Sequence, residues 1–192
     1  MQWNEYKKKI IRSIEDFSFD EEILHVIYNS KKNNQKIFIA GNGGSAALAN
    51  HYLCDFSKGA IKNWKDNHDR FQVLSLSANY SYITAIANDE SYEEIFKQQL
   101  INLANKNDIL ILISSSGNSP NIIKAVEYAK DIGMITIGIT GLQGGKLHEL
   151  ADYKAHITTD MYEIAEDMHA IFGHFLAVFL REKNEIISKN LN

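Results

Sequence analysis

Short apolar runs that alternate with segments of helical periodicity constrain the fold of this chain most strongly. The predicted strands are the apolar runs 37–40, 71–76, 108–113, 134–139 and a shorter one around 153–157. The segments predicted as helices are 3–15, 20–31, 45–57, 91–105, 120–131 and about 160–186. Most runs are apolar throughout, which is typical of parallel strands covered on both faces. We therefore expect an α/β fold, a three-layer α-β-α sandwich with a mainly parallel five-stranded sheet, N-terminal helices and a long C-terminal helix.

Length, charge and cysteine content restrict the class of protein. The 192 residues suit one domain over 1–192, with a helical extension at about 1–33. A formal net charge of −4 gives no sign of a nucleic-acid partner. A single cysteine, Cys54, fits a reducing compartment, and we expect a cytoplasmic protein. No stretch approaches 18 apolar residues and no secretory signal is evident, so we expect no membrane partner.

The first candidate site is the loop 41–45, Gly-Asn-Gly-Gly-Ser, after the first predicted strand. Glycines let backbone N–H groups approach an anion, and the loop opens a helix whose N-terminus favours negative charge. The loop also fits a dinucleotide fingerprint loosely, but the next strand ends without the acidic residue that such a site expects. A P-loop is excluded because no Gly-Lys-Ser/Thr follows. A tight turn with no ligand remains the alternative.

A second loop, 114–120, carries serines after another predicted strand. Ser119 and Pro120 are typical of a helix N-cap and first turn. Capping alone leaves Ser114, Ser115 and Ser116 unexplained, whereas hydroxyls beside free helix N–H groups can hold a phosphate. Because ligands of parallel sheets bind beyond the carboxyl ends of the strands, two such loops favour a sugar-phosphate site.

Acidic and histidine side chains recur at helical spacing. His51 and Asp55 are four residues apart and share a helix face, where they can hold a divalent metal or form an ordinary surface pair. Glu166 and His174 follow one row of the last predicted helix. A lone histidine in this apolar segment is more often a core residue, but with Glu166 it can form a metal or acid–base set.

Five motifs of the chain resemble those of a known family. They are FIAGNGGSAALANHYLCDF, IAND, ISSSGNSPN, GITGLQGGKL and AEDMHAIFGH. They are similar to the sugar-isomerase (SIS) fold and, more narrowly, to the phosphoheptose isomerases. The resemblance implies a homotetramer with active sites between subunits. It implies conversion of sedoheptulose 7-phosphate to D-glycero-D-manno-heptose 7-phosphate for bacterial surface glycans, lipopolysaccharide or capsule.

The resemblance also implies roles for individual residues. The substrate-binding residues would be Asn42, Gly43, Gly44, Ser45, Asp55, Asn88, Asp89, Ser114, Ser115, Ser116, Ser119 and Glu166. The zinc ligands would be His51 and His174, with Asp55 and Glu166 as further candidates. The family usually has Glu where this chain has Asp55, and Gln where it has Glu166. Both departures bear on the exact substrate more than on the fold.

An aldose–ketose isomerisation moves a proton between C1 and C2 through an enediol, and we assign Asp55 and His174 as the acid–base pair. A metal ligand cannot act freely as a base at the same moment, so these two roles compete in each residue. The main alternative is a non-catalytic SIS module that senses a sugar phosphate or binds proteins; a different phosphosugar isomerase and a nucleotide-binding protein are further alternatives. Such relatives tend to lack the second histidine, so His174 favours the enzyme.

Overall fold

The computed structural model describes residues 1–61 and 70–190, with side chains described to residue 184. Its strands are β1 (Ser18–Phe19), β2 (Lys36–Gly41), β3 (Gln72–Ser75), β4 (Ile109–Ser114), β5 (Ile135–Thr140) and β6 (Tyr153–His156). They form one sheet in the order β1-β6-β5-β4-β2-β3. Every neighbouring pair is parallel except β1 with β6. The expected α/β class is confirmed, and the antiparallel β1 adds a sixth strand to the expected five.

Helices cover this sheet. The α-helices are α1 (Trp3–Asp16), α2 (Glu22–Ser30), α3 (Gly43–Cys54), α4 (Tyr80–Asp89), α5 (Lys97–Leu103), α6 (Pro120–Asp131), α7 (Gly145–Leu150) and α8 (Tyr162–Asn190). One π-helical turn, Asp55–Gly59, continues α3, and one 3-10 turn, Tyr92–Glu94, precedes α5. In the ranges 1–61 and 70–190, no helix is long and apolar enough to cross a membrane.

Alternate residues of the central strands enter two separate cores. Ile109 and Ile111 of β4 pack with Tyr52 of α3 and Phe172 of α8 on one face of the sheet. Leu110 and Leu112 pack on the other face with Leu100, Ile122, Val126 and Leu147, which belong to α5, α6 and α7. The layers are therefore helix, sheet and helix, and both faces of the strands are buried, as their apolar sequences predict.

The strand order places the candidate loops at the point where the topology reverses. From β2 the chain moves to β3 at one edge of the sheet, whereas β4, β5 and β6 extend in the opposite direction. The crevice beyond the carboxyl ends of β2 and β4 is therefore where a parallel sheet of this kind binds ligands. The loops 41–45 and 114–119 both open into that crevice.

One helix was not expected from the sequence, and one begins later than expected. The short helix α7 lies in a segment for which no helix was predicted. The helix expected over 91–105 is a 3-10 turn followed by α5 from Lys97. Ser91 makes no capping hydrogen bond, and Glu94 instead bonds Lys124 and Gln98, so the expected capping box is absent.

Candidate functional site

A cavity of about 250 Å³ lies beyond the carboxyl ends of β2 and β4. The residues that line it are Asn42, Ser45, Ile113, Ser114, Ser115, Ser116, Ser119, Tyr162 and Glu166. The structure thus brings together most of the residues that we expected to bind substrate. They come from three separate segments: the start of α3, the loop between β4 and α6, and the start of α8.

Two helix N-termini point toward this cavity. Asn42 is the N-cap of α3, and Ser119 is the N-cap of α6 with Pro120 in its first turn. Neither residue caps its helix with a hydrogen bond from its own side chain. The first N–H groups of α3 have no intrahelical partner, so this end can bind an anion. In α6, Pro120 has no N–H and the N–H of Ile122 bonds Ser119 O and Asn121 Oδ1, so this end favours an anion mainly through the helix dipole.

The serine side chains have different roles, since Ser114 and Ser116 accept hydrogen bonds from the loop backbone whereas Ser115 does not. Ser114 Oγ accepts a hydrogen bond of 3.1 Å from the backbone N–H of Gly117. Ser115 Oγ is buried and has no hydrogen-bond partner among the described residues. A buried hydroxyl without a partner is costly, and this one lies in the wall of the cavity. Its position suits a donor that is completed by a bound anion.

Glu166 lies in the cavity wall directly against the first turn of α3. A Cβ atom on Gly44 would lie only 2.8 Å from both carboxylate oxygens of Glu166. The missing side chain of Gly44 therefore leaves room for the Glu166 carboxylate in this position. The carboxylate provides an acceptor for sugar hydroxyls and a negative charge beside the anion site.

A second cluster consists of His51, Asp55 and His174. The two Nε2 atoms lie 2.8 Å apart, and Asp55 Oδ2 is 3.4 Å from His51 Nε2 and 3.9 Å from His174 Nε2. The histidine side chains are 48% and 61% exposed, so this cluster is open to a ligand.

The donor set of this cluster fits a divalent metal ion. One atom from each residue lies within 4.8 Å of the others. Asp55 Oδ2 is buried without a hydrogen-bond partner among the described residues, and an ion bound between the imidazoles would give it one. Two imidazole nitrogens and a carboxylate oxygen are ligands that Zn²⁺ takes in catalytic sites.

Close packing of α3 on α8 brings this cluster together. Gly173 packs directly on the ring of Tyr52, where any Cβ atom would overlap the ring. The Tyr52 hydroxyl donates a 2.5 Å hydrogen bond to the carbonyl of His169. Because Tyr52 follows His51 and Gly173 precedes His174, this contact sets the distance between the two imidazoles.

The cavity and the cluster are separate in the folded chain. Gly44 and His51 are seven residues apart on α3, a rise of about 10 Å. Glu166 and His174 are eight residues apart on α8, a rise of about 12 Å. Gly44 meets Glu166 and His51 meets His174, so the two helices run in the same direction and both span this distance.

The remaining expected residues lie elsewhere around the site. Gly43 begins α3 with a φ of +52°, a conformation that favours glycine. Asn88 and Asp89 end α4, are exposed, and bond to each other at 2.7 Å. Neither residue lines the cavity. Within one chain, Glu166 lies outside the His51, Asp55 and His174 cluster.

Three residues near the site were not predicted from the sequence. Tyr162 lines the cavity at the start of α8, and Tyr92 and Asn121 contact Asn42. Asn121 belongs to the segment Ser119-Pro120-Asn121 that marks the start of α6, and its position beside a phosphate-type loop was the only available signal.

Comparisons with known proteins agree with this geometry. Residues 2–141 match the SIS domain family. A phosphoheptose isomerase from Helicobacter pylori strain P12 is 38% identical over 169 residues, which cover 88% of this chain and 85% of the relative. One from Aneurinibacillus thermoaerophilus is 35% identical and covers 96% of this chain and 98% of the relative. The solved structure of a phosphoheptose isomerase from Francisella tularensis superposes with a TM-score of 0.84, at 26% identity, over 93% of this chain and 96% of that one.

Proposed function

Because the chain belongs to the phosphoheptose isomerase family of SIS-domain proteins, we propose that it converts sedoheptulose 7-phosphate to D-glycero-D-manno-heptose 7-phosphate. The reaction removes a proton from C1 of the ketose and delivers one to C2. A second proton moves from the C1 oxygen side to the C2 oxygen side, so the product has the same composition as the substrate. The intermediate is an enediol.

The separation of the cavity from the histidine cluster is the observation that carries this proposal. A phosphate held by the serine loop and the two helix N-termini leaves the sugar chain free to extend along α3 and α8. Both helices place the cluster about 10–12 Å farther on. An extended heptose phosphate carries its phosphate and its reacting carbons at opposite ends, as this arrangement requires. Binding the remote phosphate helps to orient the reacting carbons.

The acid–base work is assigned to Asp55 and His174. Asp55 takes the proton from C1 and returns it to C2, and His174 serves the two oxygens. Asp55 is mostly buried and His174 is open to solvent, so a reacting carbon can approach between them. A residue that ligates a metal is less free to act as a base. Turnover and zinc content, measured for each variant, distinguish the two roles.

We propose zinc as the metal of the cluster, held by His51, Asp55 and His174. A bound zinc ion supplies a positive charge that stabilises the oxyanion developing on the sugar. On α8, Glu166 is too far from His174 to share an ion with it inside one chain. Glu166 therefore binds substrate in its own chain, and it joins a metal set only from a neighbouring copy.

We propose a homotetramer with active sites at subunit interfaces. Apolar side chains remain exposed around His174, since Ile171, Phe175 and Val178 are 40–43% exposed. A partner that covers these side chains also shields the cluster from water. Asn88 and Asp89, which we expected to bind substrate, lie at the exposed end of α4 and do not line the cavity. From there they can contact only the part of a substrate that lies outside the cavity.

The product is proposed to supply heptose for bacterial surface glycans, either lipopolysaccharide or capsule. The reaction is placed in the cytoplasm, where the single cysteine Cys54 stays reduced.

The test is incubation of the purified protein with sedoheptulose 7-phosphate in deuterated water, followed by NMR. The proposal predicts an aldoheptose 7-phosphate with deuterium at C2, because the proton delivered to the enediol exchanges with solvent. Tight binding of the sugar phosphate without any conversion would contradict the isomerase and support a sensing module.

A further inference from the structure

The amide side chain of Asn42 is held in one orientation by two residues outside the expected site. Asn42 Nδ2 donates to Asn121 Oδ1 at 2.9 Å, and Asn121 Nδ2 donates to Asn42 Oδ1 at 2.9 Å. The Tyr92 hydroxyl donates to the same Asn42 Oδ1 at 3.0 Å. Asn121 is 1% exposed, so this amide pair is closed to water on the α6 side.

The backbone decides which end of each amide is the oxygen. The N–H of Ile122 donates to Asn121 Oδ1 at 2.9 Å, and a backbone N–H can only donate. The oxygen of Asn121 is thereby fixed, and it can pair only with the nitrogen of Asn42. The Tyr92 hydroxyl alone would accept from or donate to either end of Asn42, so Asn121 is the residue that sets the orientation.

This orientation leaves a donor for the ligand. A carboxamide nitrogen carries two hydrogens, and Asn42 Nδ2 uses one for Asn121 in the part of the chain that the structure describes. Both oxygen-side contacts, from Asn121 and from Tyr92, occupy the acceptor. Because Asn42 lines the cavity at the N-terminus of α3, its second N–H is available to an anion there.

Ion pairs hold Asn121 and Tyr92 in a fixed position relative to each other. Lys124 of α6 bonds Glu94 at 2.9 Å and Glu93 at 3.0 Å, and both acids lie in the turn that carries Tyr92. Hydrogen bonding to Lys124 also lowers the pKa of Glu94, which keeps this pair charged at neutral pH. The turn and the first part of α6 therefore meet Asn42 as one unit.

We infer that Asn121, assisted by Tyr92, is a positioning residue that presents an N–H of Asn42 to the substrate phosphate. Without Asn121 the amide of Asn42 can rotate, and its oxygen would then repel the anion. This inference rests on the proposed function for the sugar phosphate, but the anion contact itself can be tested with inorganic phosphate.

The experiment is a double-mutant cycle with Asn42→Ala, Asn121→Ala and the double variant. Phosphate affinity is measured by titration calorimetry, and KM and kcat with sedoheptulose 7-phosphate. For Asn121→Ala we expect about tenfold weaker phosphate binding and a similar rise in KM, with kcat changed far less. In the Asn42→Ala background, Asn121→Ala should have no further effect on either quantity, because its only route to the ligand is gone.

Tyr92→Phe is the second variant, since it removes one hydroxyl from an exposed side chain and leaves α6 intact. We expect about threefold weaker phosphate binding. In the Asn42→Ala background, Tyr92→Phe should have no such effect. Tyr82→Phe is the matched control, because that hydroxyl bonds Asn102 and does not contact Asn42. If Asn121→Ala fails to fold, Asn121→Ser takes its place in the cycle, because the shorter side chain cannot pair with both ends of the Asn42 amide.

Additive effects in the cycle, or unchanged phosphate affinity in folded Asn121→Ala and Tyr92→Phe, would overturn the inference. A wild-type protein that does not bind phosphate would also overturn it. A wild-type protein that binds phosphate and shows the coupling, yet does not isomerise the sugar, would contradict the proposed function alone.

Discussion

At the scale of single residues, Ser114 and Ser115 have the same side chain and opposite roles. Ser114 Oγ holds the loop through Gly117, whereas Ser115 Oγ is buried with no partner among the described residues. The sequence shows only a run of three serines, and the difference arises from the direction in which the strand end delivers each hydroxyl. This contrast permits a test that separates ligand binding from stability.

Ser115→Ala should weaken binding of inorganic phosphate by about 10–150-fold, the usual value of a hydrogen bond to a charged group. Its thermal stability should not fall, because no protein hydrogen bond is lost. The matched variant Ser114→Ala should lower the free energy of unfolding by about 1 kcal/mol. Calorimetry and thermal unfolding of both variants check this, and a stability loss confined to Ser115→Ala would contradict the assignment.

Glu166 lines the same cavity with a negative charge, where the family usually has Gln. We expect Glu166→Gln to bind inorganic phosphate about threefold more tightly, because one repulsive charge is removed near the anion site. Titration at two salt concentrations tests this, since the difference should shrink as salt screens the charge. Weaker phosphate binding by Glu166→Gln would show that the carboxylate supports anion binding in another way.

The burial of His169 makes the stability of the protein depend on pH. Burial, and to a smaller extent the charge of His156, lowers the pKa of this imidazole from 6.5 to about 4. Below pH 6.5 the unfolded chain takes up a proton here that the folded chain does not. The free energy of unfolding should therefore fall by about 3 kcal/mol as the pH drops from 6.5 to 4.

Urea unfolding between pH 7 and pH 4 measures this loss. The free energy of unfolding of His169→Gln should change less over the same pH range. A smaller loss of the same sign remains, because burial also lowers the pKa of His156. An identical pH profile for His169→Gln and the wild-type protein would contradict the assignment.

At the scale of elements, the packing of α3 on α8 determines the metal cluster. Periodicity predicts both helices, and spacing predicts that His51 shares a face with Asp55. Spacing within one helix cannot reveal that His174, on another helix, meets them. The contact of Gly173 with Tyr52 sets this meeting, and a single glycine in an apolar helix gives little signal of it.

Gly173→Ala should separate α3 from α8, because the added methyl group overlaps the Tyr52 ring. We expect a loss of about 1–3 kcal/mol in stability and a clear loss of zinc affinity. Tyr52→Phe is the control, since it loses the hydroxyl bond to His169 but keeps the ring. Tyr52→Phe should lose stability and retain zinc. Equal zinc affinity in Gly173→Ala and the wild-type protein would contradict the role of the contact between Gly173 and Tyr52.

The sequence predicts the fold well where apolar runs are long and less well where elements are short. The strands β2, β4 and β5 are buried on both faces, and their apolar sequences make them evident. The helix α7 was missed, since it has only six residues. The two residues of β1 pair with β6 across most of the chain length, and no local pattern encodes such a pairing.

At the scale of the whole molecule, the apolar side chains around His174 predict an assembly. Val178→Glu should reduce a tetramer to smaller species and lower turnover, because Val178 is 40% exposed one turn after His174. Ile101→Glu is the control, since Ile101 is similarly exposed on α5, which packs on the opposite face of the sheet. Light scattering at micromolar concentration measures both variants, and a monomeric wild-type protein would contradict the interface.

The packing of α1 and α2 on the rest of the chain bears on the expectation of one domain. Tyr6 of α1 donates a hydrogen bond to Asp167 of α8, and Ile23 and Ile27 of α2 enter the same core as Tyr52. These contacts support the proposal that the N-terminal helices belong to a single unit with the sheet.

We propose that His51, Asp55 and His174 carry the isomerase chemistry. The most direct measurement is turnover of sedoheptulose 7-phosphate by His174→Gln and wild-type protein, with zinc content and folding recorded for each sample. We expect folded His174→Gln to lose about 10²–10⁴-fold in kcat, while inorganic phosphate binds the distant cavity as before. Full turnover by folded His174→Gln would contradict it.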